Sequence, residues 1–212
     1  MVSMDWVWAW HQYDLLGLVG HTVAARPDVD LRRFLATGCN LPQLREYTVV
    51  AALRAQCDWC FFVDADMRFP ADALVQLLAR HEPVVAANYT KRKPPFTPVS
   101  VASFGDPVQY VYTEKTSTGL EPVAATGMGC MLVQGDVLRN IPQPRFMTGW
   151  IPDDLDHTTE DLYFCRKLKE LGVPILIDHD LSHQVTHIGA VEFEAQHAVT
   201  TRDAAPVGEP HA

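Results

Sequence analysis

The sequence predicts an α/β fold in which a mostly parallel sheet is flanked by helices. Short apolar runs alternate along the chain with segments that repeat apolar residues at helical spacing, and this alternation is typical of parallel strands joined by helices. The chain has 212 residues, of which 48% are hydrophobic, which is enough for one domain with a sizeable core. We expect this domain to span residues 1–201 and residues 202–212 to form a disordered tail.

The first half of the chain predicts three helices and three strands. Asn40 favours the start of the second helix because its side chain can cap free amides, and Pro42 is tolerated in a first turn. The run WCFFV is a candidate buried strand, and Pro70 favours the start of the third helix. The predicted helices are residues 5–16 and segments starting at Asn40 and Pro70, and the predicted strands are residues 21–27, 59–63 and 83–89.

The second half of the chain begins with short β-like runs and ends with a helix and a strand. Residues 96–125 place Gly, Pro and Ser/Thr between these runs, which predicts a small β excursion from the main sheet. Gly172 and Pro174 mark the end of a helix. The remaining predicted elements are strands over residues 129–134 and 173–178 and helices over residues 136–140 and 160–171.

Charge and composition indicate which classes of protein and which cellular compartment fit this chain. The chain has 17 Lys and Arg against 26 Asp and Glu, a formal charge of −9, which weighs against a broad nucleic-acid-binding surface. No run approaches the roughly 20 apolar residues of a membrane span, and the N-terminal segment lacks the basic region of a signal peptide. An odd number of cysteines, five, favours a reducing compartment, so we expect a cytoplasmic protein without a membrane span.

Two of these cysteines, Cys57 and Cys60, have CxxC spacing. Cys60 enters the apolar strand directly, which favours two small buried residues. A redox pair and half of a zinc site remain alternatives, although the sequence has no second CxxC.

Two carboxylates follow the predicted strand at residues 59–63. Asp64 and Asp66 are separated by one residue, and ligands of α/β sheets lie beyond the carboxyl ends of strands. Mg²⁺ and Mn²⁺ prefer oxygen ligands and keep part of their coordination for water and phosphate. The sequence therefore predicts a cation site here, with a strand end followed by an Asx-type turn as the alternative.

A second acidic pair, Glu160 and Asp161, begins a predicted helix, and His187 follows a later strand. Acidic residues in a first turn are stabilised by the helix dipole, but Asp161 is also a candidate general base. His187 is a candidate metal ligand or a packed histidine at a strand end. Its four-residue spacing from His183 and His179 would suit a zinc site on a helix, whereas the flanking residues predict extended structure.

Three cations, Lys91, Arg92 and Lys93, follow the predicted strand at residues 83–89. Such a run is usually solvated. At the ligand-binding end of a sheet it can instead hold a diphosphate or an anionic acceptor, and both interpretations remain open.

The order of these features resembles that of small nucleotide-sugar glycosyltransferases of the GT-A type, especially compact phage and bacterial forms. The resemblance depends on an apolar strand ending in DxD, a TG-containing strand, a helix headed by ED and a late histidine. It implies a GT-A-like, Rossmann-like α/β fold, a nucleotide-diphosphate sugar as donor, with UDP-sugar as the default, and Mn²⁺ or Mg²⁺. The matching stretches cover most of residues 40–190 and are CDWCFFVDADMRFPADALVQLL, PVVAANYTKRKPP, VAATGMGCMLVQGDVL, TEDLYFCRKLKELGVPILID and THIG.

The resemblance implies a role for each matching acidic residue. Asp66 and His187 would bind the metal, and Asp64 would contact the donor ribose or the metal's coordination shell. The cation would act as a Lewis acid on the donor diphosphate. Asp161 would deprotonate the acceptor hydroxyl, as in inverting relatives, with Glu160 as its neighbour.

The resemblance also assigns residues to the donor and the acceptor. Thr126 and Gly127 match a small-residue turn beside the donor sugar. Arg45 falls where relatives carry an Arg-Asn pair near the nucleotide, although Glu46 stands in place of the Asn. The other expected contacts are Lys91 and Arg92 to the diphosphate and Trp150, Asp153 and Asp154 to the acceptor, which is a glycan or a hydroxymethylated DNA base.

The sequence departs from this family at its start. Relatives open with a hydrophobic strand and a Pro/Thr/Arg-containing turn that cradles the nucleotide base, whereas MVSMDWVWAW resembles the segment that comes after that strand. We therefore expect the first nucleotide-binding strand to be absent. This leaves a non-catalytic carbohydrate-binding or structural remnant as one alternative function. A nucleotidyltransferase, which shares the α/β sheet and the acidic metal site, is the other.

Overall fold

The computed structural model describes residues 2–3, 8–92, 96–104, 107–151 and 156–189. The predicted tail at residues 202–212, and Asp153 and Asp154, lie outside the described residues. The backbone of Trp150 is described and its side chain is not. Among the described residues, no helix has the length and apolar character required to cross a bilayer.

Short elements alternate along the described chain. The helices are α1 (Ala9–Ala25), α2 (Leu41–Arg54), α3 (Ala73–Ala79), α4 (Gly135–Asn140), α5 (Glu160–Glu170) and α6 (His179–Ser182). The strands are β1 (Val2–Ser3), β2 (Ala36–Thr37), β3 (Trp59–Val63), β4 (Met67–Arg68), β5 (Val84–Ala86), β6 (Val101–Ser103), β7 (Gln109–Tyr110), β8 (Leu120–Val123), β9 (Cys130–Gln134), β10 (Gly149–Ile151), β11 (Asp156–Thr158), β12 (Ile175–Asp178) and β13 (Thr186–His187).

The central sheet is mixed, with the strand order β3-β9-β5-β12-β8. Among the described strands of this sheet, only β5 and β12 pair in parallel; β9 runs antiparallel to both β3 and β5, and β8 runs antiparallel to β12. The α/β class is confirmed, but the prediction of a mostly parallel sheet is wrong. The reason is that β9 follows the β excursion instead of a crossover helix, so the chain re-enters the sheet in the opposite direction.

Most of the predicted elements are present at nearly the predicted positions. Helix α2 begins after Asn40, whose Oδ1 accepts a hydrogen bond from the Gln43 N–H at 3.2 Å. The predicted strand at residues 21–27 is wrong, because α1 continues to Ala25. Leu18 and Thr22 in this helix are both buried, and their four-residue spacing places them on one helix face.

The predicted β excursion is only partly separate from the central sheet. β6 and β7 pair with each other as an antiparallel ribbon. β8, the last run of the same segment, instead joins the central sheet beside β12. The excursion therefore returns to the sheet immediately before the glycine-rich turn that precedes β9.

Two hydrophobic clusters cover the two faces of the central sheet. Phe62 packs in one cluster with residues of α2 and α5, and its neighbour Val63 packs in the other with residues of α1 and α3. Successive strand residues point to opposite faces, so both faces of β3 are buried. This packing on both faces fixes the position of β3 and therefore the position of Asp64, which directly follows it.

Candidate active site

The turn after β3 is fixed at both of its ends. The Asp64 N–H donates to the Gly129 carbonyl at 3.1 Å, and the Met67 N–H donates back to the Asp64 carbonyl at 3.1 Å. Met67 then pairs with His187 across β4 and β13. The chain thus brings His187, which is distant in sequence, next to Asp66.

Asp66 faces His187 and Arg92. Its Oδ2 lies 2.6 Å from Arg92 Nη1 and 3.5 Å from His187 Nε2. Burial alone would raise the pKa of Asp66, but the hydrogen bond with His187 and the charge of Arg92 outweigh it and lower this pKa below 3.8. Asp66 is therefore a carboxylate at neutral pH.

The other ring nitrogen of His187 fixes its tautomer. His187 Nδ1 lies 2.9 Å from the Thr90 carbonyl, which can only accept a hydrogen bond, so Nδ1 carries a proton. Nε2 faces Asp66 Oδ2: with a proton it donates the hydrogen bond that lowers the pKa of Asp66, and without one it presents a lone pair to a cation. Two acceptors that face each other need a proton or a cation between them.

Arg45 connects the first aspartate to the acidic helix. Its Nη2 lies 3.2 Å from Asp64 Oδ1 and 3.4 Å from Glu160 Oε1, and its side chain is 2% exposed. Burial would lower the pKa of Arg45, but the charges of Asp64 and Glu160 outweigh it and raise this pKa. Burial also raises the pKa of Glu160 above 4.5, against the attraction of Arg45.

Asp161 has a different environment from Glu160, although the two are adjacent at the start of α5. Asp161 Oδ1 accepts hydrogen bonds from the Thr159 hydroxyl and from the Leu162 N–H, the latter at 2.9 Å. Within the described residues its Oδ2 accepts no hydrogen bond. Asp161 is partly exposed and Glu160 is buried, so Asp161 is the carboxylate that can meet a ligand.

The turn before β9 approaches the site closely because it contains glycines. A Cβ at Gly127 would lie 2.4 Å from the Tyr89 hydroxyl oxygen, and a Cβ at Gly129 would lie 2.6 Å from it. The neighbouring Thr126 is fully buried, and its hydroxyl lies 2.8 Å from the Ser100 hydroxyl. The structure thus places Gly127 at a tight approach and the Thr126 side chain inside the protein.

Tyr89 is a site residue that the sequence analysis missed. Its hydroxyl accepts a hydrogen bond from the Gly129 N–H at 2.9 Å, and its ring centroid is 5.2 Å from that of His187. Burial raises the pKa of Tyr89 well above 10.0, so the phenol stays protonated. The available signal was the polar run Asn88-Tyr89-Thr90 directly after the apolar strand β5.

The two predicted cationic residues have different partners. Arg92 pairs with Asp66. Lys91 Nζ lies 5.3 Å from the ring centroid of Tyr110, a cation–π distance. The predicted acceptor residues Asp153 and Asp154 lie outside the described residues, as does the Trp150 side chain.

The histidine and cysteine alternatives are also located. Buried His179 contacts Glu121 Oε2 at 2.9 Å and Thr113 Oγ1 at 3.0 Å, so it belongs to a polar cluster other than that of His187. Cys57 and Cys60 are free cysteines. Burial raises the pKa of Cys60 to about 12, which keeps it an unreactive thiol at neutral pH.

The Asp66–His187 pair fits a divalent cation that takes its other ligands from water and from a bound phosphate. One carboxylate oxygen and one imidazole nitrogen suit Mn²⁺ and Mg²⁺, ions that keep several non-protein ligands. The described residues contain no group of three or more His, Cys, Asp or Glu that could hold a metal. Asp64 is oriented towards Arg45, so it belongs to the neighbouring charge cluster.

No family model matches this chain, and no curated protein matches it. Several solved structures are similar in fold. A197 from STIV is 15% identical with a TM-score of 0.50, and the match covers 91% of this chain and 96% of that chain. GalNAc-T7, solved with UDP, GalNAc and Mn²⁺, is 13% identical with a TM-score of 0.49; the match covers 90% of this chain but only 38% of GalNAc-T7. At these identities the similarity to A197 shows a shared fold.

Proposed function

We propose that this protein is a metal-dependent glycosyltransferase of the GT-A type, which moves a sugar from a nucleotide-diphosphate donor, by default UDP-sugar, to a hydroxyl acceptor. The observation that carries the proposal is the pairing of β4 with β13, which brings His187 Nε2 to 3.5 Å from Asp66 Oδ2. Asp66 and His187 would hold Mn²⁺ or Mg²⁺. Bound there, the cation would supply Lewis-acid stabilisation of the diphosphate leaving group.

The cationic side chains near this pair have roles in the proposal. Arg92 lies beside Asp66 and is half exposed, so it can move to a phosphate oxygen when a cation neutralises Asp66. Arg45 is buried and fixes Asp64 relative to Glu160. Arg45 and Glu160 therefore act by positioning Asp64 and the start of α5.

Asp161 is the proposed general base. Its Oδ1 is held by two donors, so the carboxylate keeps one orientation, and its Oδ2 is available to accept a proton from an acceptor hydroxyl. The start of α5 stabilises the negative charge before proton transfer. A glycan and a hydroxymethylated DNA base are the candidate acceptors, and inversion is the expected stereochemistry.

Replacing Asp66 tests the metal and donor site. In titration calorimetry with Mn²⁺ and UDP, we expect Asp66→Asn to weaken Mn²⁺-dependent UDP binding by at least about tenfold, because even a residue outside the direct ligands costs that much metal affinity. Asp136→Asn is the matched control. Asp136 follows β9 at the opposite end of the sheet and is exposed, so this variant should bind as the unchanged chain does.

The titration also separates the alternatives. UDP binding that is equal in both variants and independent of Mn²⁺ would contradict the proposed metal site. Absence of binding in the unchanged chain would favour the non-catalytic remnant. Preferential binding of nucleoside triphosphates with sugar phosphates would favour a nucleotidyltransferase.

Replacing Asp161 tests the base. We expect Asp161→Asn to bind Mn²⁺ and UDP normally but to lower the rate of UDP release from a UDP-sugar by about 10²- to 10⁴-fold, which is the usual contribution of a general base. Glu170→Gln, at the other end of α5, is the control and should keep full turnover. Full turnover of Asp161→Asn would show that another group accepts the proton.

A further inference from the structure

β3 has a free hydrogen-bonding edge. Among the residues that the structure describes, it ends the central sheet and has β9 as its only partner strand. Asp64 and Gly129 form one bonded pair, and the Gly135 N–H donates to the Asp58 carbonyl at 2.6 Å. Bonded and non-bonded pairs alternate along an antiparallel ladder. The residues that turn their backbone groups away from β9 are therefore Trp59, Phe61 and Val63.

A long groove follows this free edge. The associated cavity has a volume of about 1040 Å³. Apolar side chains of α1, including Leu15 and Leu18, line one side, and Val49 and Ala52 of α2 line another. Residues 28–35 also line the groove. Among the described residues, no backbone group forms a hydrogen bond with the outward N–H and C=O groups of β3.

The size of the groove matches one additional strand. A strand residue advances about 3.3 Å, neighbouring strands lie about 4.8 Å apart and packed layers about 10 Å apart, so one residue fills roughly 160 Å³. A cavity of about 1040 Å³ thus accommodates six or seven residues. Since α1 and α2 cover both faces of the groove, the strand would be apolar on both faces.

The pairing of β1 with β2 shows how such a strand would lie. Val2 is level with Ala36 and Ser3 with Thr37 in a parallel register. A strand that lies in line with β1, on the N-terminal side of Val2, is therefore level with the residues that precede Ala36. Those are residues 28–35, which line the same groove.

Two nitrogens of a buried guanidinium at the groove lack hydrogen-bond partners among the described residues. Arg45 lines the cavity and is 2% exposed. Its Nη2 contacts Asp64 and Glu160, whereas its Nε and Nη1 have no hydrogen-bond partner among the described residues. Unsatisfied buried donors are rare in native proteins. Carbonyl oxygens of a strand in the groove are acceptors of the kind these nitrogens need.

We propose that this groove binds an extended polypeptide segment of six or seven mainly apolar residues, which adds in line with β1 as a sixth strand on the free edge of β3. A second copy of the chain is a poorer fit, because in each copy the free edge is recessed between α1 and α2. The inference is independent of the proposed function, since it depends only on the sheet edge and the groove.

Amide hydrogen exchange tests the added strand. The full chain is prepared with TVIVTIV placed before Met1, which raises the effective concentration of the strand, and with the equally long GSGTGSG as its control. We expect the amides of Trp59, Phe61 and Val63 to exchange at least about tenfold more slowly with the apolar extension only. Acetylated TVIVTIV added in solution should protect the same amides.

Two variants of Phe61 separate backbone pairing from side-chain packing. The N–H of Phe61 points away from β9 and forms no hydrogen bond with it. Phe61→Pro removes this N–H, and Phe61→Ala keeps it. The apolar extension should raise the melting temperature of the Ala variant and leave that of the Pro variant unchanged. Equal exchange with both extensions would overturn the proposal. So would protection that grows with protein concentration in the unextended chain, which would identify a second copy as the occupant.

Discussion

Tyr89 fixes the distance between the glycine turn and the candidate site. Its hydroxyl bonds the Gly129 N–H, and its ring contacts His187. One side chain thus connects β5, the turn before β9 and β13. A substitution that moves Tyr89 will therefore move both the turn and the proposed metal ligand.

Gly127→Ala tests this spacing. The new Cβ would lie 2.4 Å from the Tyr89 hydroxyl oxygen, so we expect the free energy of unfolding to fall by about 1–3 kcal/mol, as for overpacking. Urea unfolding of Gly127→Ala, Tyr89→Phe and the double variant measures the coupling. The double variant should lose less than the sum of the single losses, by about 0.5 kcal/mol or more.

Gly20→Ala is the matched control for that substitution. Gly20 lies in α1, and a Cβ there would meet nothing within 4 Å. Alanine at this position should be neutral or stabilise by up to about 1 kcal/mol. Strictly additive losses in the Gly127 and Tyr89 pair would show that the hydroxyl does not set the spacing.

Individual site residues were predictable to different degrees. Asp64, Asp66 and Asp161 stand out because carboxylates at a strand end and at a helix start are conspicuous in a sequence. The resemblance placed Asp66 and His187 together, but the ion pair between Asp64 and Arg45 was not predicted, because the direction of each side chain depends on the turn that β9 and β13 fix. Roles in catalysis stay predictions for all of them.

Among the elements, α2 has the clearest local signal. Asn40 accepts a hydrogen bond from the Gln43 N–H, and this cap was predicted from the sequence. We expect Asn40→Ala to lower the free energy of unfolding by about 1 kcal/mol, measured by urea unfolding. Asn40→Asp keeps an oxygen acceptor and should preserve stability. A loss of equal size in both variants would argue against the cap.

The order and direction of the strands had no comparable signal. Apolar runs such as those of β5 and β9 give strand positions, since a buried strand needs apolar residues on both faces. They do not give the direction of a strand, which depends on how the intervening chain returns. The prediction of a strand over residues 21–27 was wrong for a similar reason. Burial of one face of α1 overrides the β-like composition of that segment.

At the scale of the whole molecule, Arg80 joins the end of α3 to the start of α6. Its Nε lies 2.8 Å from Asp178 Oδ2, and its Nη2 lies 2.7 Å from Asp180 Oδ2. The hydrogen bond from Arg80, with a second from the Gly119 N–H, lowers the pKa of Asp180 below 3.8. This cluster fixes β12 and α6, from which the chain continues to His187.

The lowered pKa gives a stability prediction with a definite sign. The folded chain binds a proton at Asp180 less readily than the unfolded chain, so the contribution is complete above pH 3.8 and is lost as the pH falls through the lowered pKa. Asp180→Asn should therefore be less stable than the unchanged chain at neutral pH. The two urea midpoints should converge in acid, and a constant difference at all pH values would contradict this assignment.

The central position of β9 determines when the site can form during synthesis. β3 and β5 both pair with β9 and not with each other, so neither can complete its ladder until residues 130–134 have left the ribosome. Closing such long loops before any contact is gained is entropically costly and slows folding. Asp64 and Asp66 are thus synthesised early, but their positions are fixed only after β9 has been synthesised. His187 reaches Asp66 only when nearly the whole described chain has been translated.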